Sequence, residues 1–378
     1  MGEIYLDNSS TTKVCRESAE KIAEMLTENF GNPSSLHTLG FRAEREMTKA
    51  REKIASVLSA RPDEVFFTSG GTESNNIALF GAAKAGAKRG RHIVTTMVEH
   101  PSVLNVMKRL EQDGFSVTYI KPDKNGEIFP EQIAEAVTPD TILVSIMMVN
   151  NEVGSIMPVS AAADAIRRKK APALLHVDAV QAFGKLCVSP KKLGADLMSI
   201  SSHKIHGPKG SGALYLRKGV HITPLTYGGG QEKNVRPGTE STPLIAGFGT
   251  AAGVLPNIGE EYAEMSSLNA YCREKLLGID GIKINSPESA LPYILNFSMG
   301  KVRAETMLHF LSQREIYVSS GSACSKGKKS YVLTAMGLDG PAIDSSLRLS
   351  FSRYNTKGEI DAFICALKDG LSRISHMR

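Results

Sequence analysis

A chain of 378 residues, 42% hydrophobic and 22% charged, has enough apolar material for a substantial core and too ordinary a charge content for long disordered tails. The formal charge of +6 is spread along the chain, and its longest basic clusters, Arg167-Arg168-Lys169-Lys170 and Lys326-Gly327-Lys328-Lys329, read as solvated ends rather than a nucleic-acid surface. Five cysteines without a CxxC pair exclude a disulfide framework and a structural zinc site, and point to reduced thiols in a cytoplasm.

The opening Met1-Gly2-Glu3-Ile4-Tyr5-Leu6-Asp7 lacks the basic and apolar regions of a secretory signal. No apolar run approaches the ~20 residues that span a bilayer, so no membrane partner is expected. From Arg61 to Leu216, short β-branched runs alternate with amphipathic ones. Strands are predicted over 64–68, 92–96, 117–120, 142–146, 174–178 and 196–200, with helices over 102–113 and 159–169. Continuously apolar strands alternating with helices predict an α/β fold, a mostly parallel sheet covered on both faces. Beyond Tyr227-Gly228-Gly229-Gly230, a long helical region over 243–277 leads to strands over 291–297 and 347–351 mixed with helices, which reads as a smaller α+β unit.

In open α/β sheets, ligands bind beyond the carboxyl ends of the strands. Three candidates lie there. After strand 64–68 comes Gly70-Gly71-Thr72-Glu73-Ser74-Asn75, either a phosphate cradle at a helix start or a plain strand-to-helix turn. Strand 174–178 ends in Asp178, followed by Gln181. A buried carboxylate there needs a partner: a protonated pyridinium nitrogen, a structural salt bridge or a helix cap. Strand 196–200 runs into Ser201-Ser202-His203-Lys204. A partly desolvated lysine can lose its proton and form a Schiff base with an aldehyde, while the hydroxyls and His203 suit a phosphate. Cradle, strand-end Asp and strand-end Lys together are the parts that a pyridoxal 5′-phosphate (PLP) site requires.

Two further residues stand out. Cys324 lies between Ser320-Gly321-Ser322 and Ser325-Lys326-Gly327-Lys328, a polar loop expected to be mobile and a poor place for an inert thiol. Cys15, Cys187, Cys272 and Cys365 read instead as small buried apolar residues. His100, in Glu99-His100-Pro101, falls between a strand end and a helix start, whereas His37, His92, His176, His206 and His221 read as structural or surface residues.

The ordered set of motifs resembles the cysteine desulfurases, within the fold-type I PLP enzymes of the class V aminotransferase superfamily. It runs from Tyr5-Leu6-Asp7-Asn8-Ser9-Ser10-Thr11-Thr12 and Gly31-Asn32-Pro33-Ser34-Ser35-Leu36-His37 through Val149-Asn150-Asn151-Glu152-Val153-Gly154 and Arg236-Pro237-Gly238-Thr239. It closes on Ser319-Ser320-Gly321-Ser322-Ala323-Cys324 and Leu347-Arg348-Leu349-Ser350. The resemblance implies a large unit over 15–255 and a smaller one from 1–14 with 256–378, carrying the cysteine loop. It implies that Lys204 bonds the cofactor and moves the α-proton, with His100 stacked on the ring as a candidate proton shuttle. Asp178 would hold the ring nitrogen, Gln181 the phenolic oxygen, and Gly71, Thr72, Ser201 and His203 the phosphate. Thr239 would reach the phosphate of a neighbouring subunit, making a homodimer. Asn151, beside the cofactor, and Arg348 would receive the substrate carboxylate.

The implied reaction takes L-cysteine to L-alanine and leaves a persulfide on Cys324, for an acceptor protein in iron–sulfur cluster assembly or tRNA thiolation. Lys326, Lys328 and Lys329 are expected to favour the thiolate. The stretch from Cys324 to Tyr331 is shorter than in the family's housekeeping members, which leaves the acceptor open. A selenocysteine lyase or an aminotransferase on the same scaffold is the alternative reading, and a non-catalytic assembly protein a more distant one.

Overall fold

The structure, a computed structural model, describes residues 2–320 and 329–374. Strand β1 (Ile4–Tyr5) precedes helices α1 (Arg16–Thr27) and α2 (Thr38–Leu58). An alternating region follows: β2 (Val65–Thr68), α3 (Gly71–Gly86), β3 (His92–Thr96), α4 (Pro101–Gln112), β4 (Ser116–Ile120) and α5 (Pro130–Ala136). It continues with β5 (Thr141–Met147), α6 (Val159–Lys169), β6 (Leu174–Asp178), α7 (Pro190–Leu193), β7 (Leu197–Ser201) and β8 (Gly212–Leu216). The rest comprises α8 (Thr242–Gly253), α9 (Ile258–Leu277), β9 (Lys283–Ile284), β10 (Ile294–Ser298), α10 (Ala304–Ser312) and β11 (Ile316–Tyr317). Last come β12 (Ser319–Ser320), α11 (Tyr331–Ala335), α12 (Gly340–Asp344), β13 (Ser346–Ser350) and α13 (Lys357–Arg373).

The central sheet has seven strands in the order β2-β8-β7-β6-β5-β3-β4. Only β8 runs against its neighbours β2 and β7, so the carboxyl ends of the other six strands share one edge. Every residue of β5 is buried, as a strand covered on both faces requires. Its Ile142 and Leu143 join a cluster with Ile77 and Leu79 of α3 and Val103 and Met107 of α4, while Val144 and Ile146 belong to the larger core. The six predicted strands coincide with β2 to β7 to within one residue at each end.

Three expectations are corrected. Strand β8 was missing from the sequence reading because it follows a glycine-rich turn and pairs antiparallel. The helical region over 243–277 is two helices: Pro256 has no N–H to donate, and Asn257 restarts the chain as an N-cap accepting from the N–H groups of Gly259 and Glu260. The basic run 167–169 forms the last turn of α6, where cations complement the helix dipole. Cys15 and Cys272 are buried, but Cys187 and Cys365 are exposed, the first in the loop before α7 and the second on α13.

A second, antiparallel sheet has the order β12-β13-β10-β9. Strand β1 pairs in parallel with β11, and Asp7 bridges Ser350 of β13. From there the chain crosses to the central sheet's carboxyl edge, where Thr12 N donates to His203 O (3.0 Å) and Cys15 N to His206 O (2.8 Å). Residues 7–15 therefore link the two sheets at the edge where ligands are expected. Among the described residues, no helix is long and apolar enough to cross a membrane.

Candidate active site

Five loops meet at the carboxyl edge. After β2, Gly70 takes φ 149°, a conformation open to glycine and strained for other residues, and α3 begins at Gly71 without a side-chain cap. The N–H groups of that first turn lack intrahelical acceptors and face a cleft of about 390 Å³, lined by Ser10, Gly71, Thr72, Ser201, His203 and Lys209 among others. A Cβ on Gly71 would lie 2.6 Å from Val180 Cγ2, so only glycine lets α3 start so close to the loop after β6. The buried Ser201 Oγ has no hydrogen-bond partner among the described residues. Burial, reinforced by Lys204, Lys209 and Lys185, pushes the His203 imidazole down to about 3, so it is neutral here; its Nδ1 lies 3.2 Å from Thr11 Oγ1.

A second group is a buried relay. Asp178 Oδ1 accepts from Val180 N (3.0 Å), and its Oδ2 accepts from Asn75 Nδ2 (2.8 Å). The same Asn75 amide donates to Ser102 Oγ (2.9 Å), which lies 2.8 Å from His100 Nδ1. His100 is the N-cap of α4, and its Nδ1 also accepts from Ser102 N (3.1 Å). An acceptor Nδ1 puts the imidazole proton on Nε2. Burial lowers the His100 pKa; Asp178 opposes this and Lys204 adds to it. Preceding it, Glu99 is fully buried and pushed up to about 8 by that burial, although Met147 N and Thr96 Oγ1 donate to its Oε1.

Lys204 is buried, and its Nζ donates to Ser9 O (2.5 Å) and Ser10 O (2.7 Å). Gln181 Nε2 donates to the same Ser9 carbonyl (3.0 Å). Arg348, on β13, is buried too: Nη2 donates to Ser10 Oγ (2.7 Å) and Asp7 Oδ1 (2.9 Å), and Nη1 to Asn151 O (2.8 Å). Arg348 Nε and Asn151 Oδ1 are buried without a partner among the described residues. Buried polar atoms rarely stay unpaired, so a carboxylate that accepts from Arg348 and a donor for Asn151 are what the site lacks.

The roles of the turn 7–11, of Asn75 and of Ser102 escaped the sequence reading, although the turn and Asn75 stand in its motifs. The turn acts largely through backbone carbonyls, which no side-chain pattern announces. Thr239 is exposed and does not line the cleft. Cys324 and Lys326 and Lys328 beside it lie outside the described residues. Among the described residues, no group of His, Cys, Asp or Glu is placed to hold a metal ion. An open helix start, an unpartnered serine hydroxyl, a pinned strand-end carboxylate and a buried lysine fit a phosphorylated pyridine aldehyde.

Comparison with known proteins agrees. The family described as Aminotransferase class-V matches residues 4–363. The chain is 40% identical to the cysteine desulfurase IscS of Methanosarcina thermophila, over 99% of this chain and 93% of that one. Among solved structures, a NifS-like protein aligns with a TM-score of 0.93 at 40% identity, covering 99% of this chain and 100% of the other. SspA in complex with cysteine aligns with a TM-score of 0.83 at 35% identity, covering 93% and 100%.

Proposed function

The chain belongs to the class-V aminotransferase family, and from that membership we propose that it is a PLP-dependent cysteine desulfurase, converting L-cysteine to L-alanine with the sulfur left on Cys324 as a persulfide. The observation that carries this reading is the double role of Ser10. Its carbonyl accepts from Lys204 and its hydroxyl from Arg348, which brings an amine and a carboxylate-binding guanidinium to one residue. An amino-acid substrate needs both.

When bound, PLP supplies an aldehyde for amines and a ring that takes up electrons released at the substrate α-carbon. Gly71 and Thr72 at the start of α3, with Ser201 and His203, hold the phosphate. Asp178, kept oriented by Asn75 and Val180 N–H, holds the ring nitrogen protonated. His100, with its proton on Nε2, would stack on the ring, and Gln181, whose Nε2 gives one proton to Ser9 O, would offer the other to the phenolic oxygen. Lys204 is the amine that would hold the cofactor aldehyde and, once free of it, would move the substrate α-proton. Arg348 and Asn151 would take the substrate carboxylate, which accepts from the unpartnered Arg348 Nε and from the Asn151 Nδ2 amide. The Cys324 thiolate attacks the substrate sulfur: the Cβ–S bond breaks, an S–S bond forms, and the thiol proton ends on the methyl group of alanine.

The same reading includes a homodimer in which Thr239 reaches the neighbouring phosphate; the exposed Leu36, Phe41 and Tyr227 support such a partner surface. It also includes two units, 15–255 and 1–14 with 256–378, each supported by its own sheet, and an acceptor protein of iron–sulfur cluster assembly or tRNA thiolation. Borohydride reduction of PLP-loaded protein tests the cofactor part. The label is expected on the peptide containing Lys204, and labelling elsewhere would overturn the assignment.

A further inference from the structure

The turn after β5 does more than present Asn151. Asn150 Oδ1 accepts from the N–H groups of Glu152 (2.8 Å) and Val153 (2.9 Å), which makes the turn rigid. Glu152 is thereby buried with its Oε2 at 2.5 Å from Ser330 Oγ. Ser330 is the N-cap of α11, and its Oγ accepts from Leu333 N (3.0 Å). With that lone pair engaged, the hydroxyl proton is directed at Glu152. The next residue, Tyr331, donates its hydroxyl proton to Glu99 O (2.8 Å), immediately before His100. The start of α11 is thus fastened to two loops of the active site through buried or half-buried bonds.

Cys324 lies six residues before Ser330 and four after Ser320, which is paired in β12. At about 3.5 Å per residue, it stays within roughly 20 Å of Ser330 and roughly 14 Å of Ser320. Where Ser330 is held therefore limits where the thiol can go. Resting on the desulfurase reading, we infer that Glu152 is a positioning residue for sulfur transfer: its carboxyl group holds Ser330 and fixes the anchor on the carboxyl side of the segment carrying Cys324. The same turn bears Asn151, whose carbonyl accepts from Arg348. Substrate carboxylate and sulfur acceptor are thus set from one rigid loop. Burial raises the Glu152 carboxyl to about 7, with Ser330 and Arg348 acting to lower it. A carboxyl kept in so unfavourable a place needs a partner, and among the described residues Ser330 supplies it by hydrogen bond.

The test compares PLP-loaded wild type with Ser330→Ala, Glu152→Ala and Glu152→Gln. Three quantities are followed: the absorbance change on adding L-cysteine, single-turnover alanine and persulfide, and the rate of Cys324 alkylation by iodoacetamide. Ser330→Ala leaves the Glu152 carboxyl itself intact. It and Glu152→Ala are expected to keep the absorbance change while persulfide formation slows about tenfold or more, the size of one buried hydrogen bond to a charged group. Cys324 should alkylate faster in both, and Glu152→Gln, which keeps an acceptor oxygen, should restore wild-type behaviour. The inference is overturned if Ser330→Ala transfers sulfur at the wild-type rate, if the absorbance change is lost in parallel, or if Gln fares no better than Ala. Should wild type itself form neither product, the desulfurase reading fails, and the alkylation rates alone then decide whether Glu152 anchors the segment.

Discussion

Asn75 shows how one neutral side chain can hold two functional groups. Its two amide protons go to Asp178 and Ser102, and Ser102 completes the link to His100. Asn75→Ala would leave a buried carboxylate and a buried hydroxyl each short of a donor, a loss of about 1–3 kcal/mol per group. A lower melting temperature and faster loss of PLP on gel filtration are expected; retention equal to wild type would contradict the relay. Glu99 gives a pH signature. Its carboxyl rises from 4.5 to about 8 on folding, so between those values the native chain binds the proton more tightly than the unfolded one. Stability should therefore fall as pH rises through that window. Glu99→Gln is expected to flatten the decline in urea-unfolding free energy, and an unchanged slope would show that Glu99 does not cause it. At this scale Lys204 and Asp178 were legible because each stands where a strand stops. Asn75 and Ser102 were visible only as letters within motifs, since their roles depend on α3 and α4 lying side by side.

The carboxyl edge of the sheet depends on how closely its elements approach. Gly212 opens β8 between Thr68 of β2 and Ser201 of β7. A Cβ there would stand 2.6 Å from Gly70 Cα and 2.8 Å from Gly70 C, backbone atoms that cannot swing aside. Gly212→Ala should displace the cradle at the start of α3 and weaken PLP reconstitution while leaving the far-ultraviolet circular dichroism native-like. Unchanged reconstitution would mean that the cradle does not hold the phosphate. The parallel strands were readable because burial on both faces leaves continuous β-branched runs. Strand β8 was not, because its placement is decided by pairing with two distant strands. The break between α8 and α9 was in principle readable from Pro256 followed by Asn257, but apolar spacing on both sides concealed it.

Across the whole molecule, the first dozen residues are structural and chemical at once. They pair with β11 through β1 and bridge to the second sheet through Asp7, then place the Ser9 and Ser10 carbonyls on Lys204 and the Ser10 hydroxyl on Arg348. Removing residues 1–12 should yield a chain that folds its central sheet but fails to hold PLP as a stable visible chromophore; a truncated protein with wild-type absorbance would argue that the turn is dispensable. Chemical identity was written in the order of the motifs, while the joining of the two sheets through this turn came only from the fold. The central claim is sulfur transfer to Cys324, and single-turnover reaction of PLP-loaded protein with L-cysteine tests it most directly. Wild type is expected to give alanine with a persulfide on Cys324, and Cys324→Ala to give neither. A chromophore change without alanine, or a Cys324→Ala protein that still makes alanine, would contradict it.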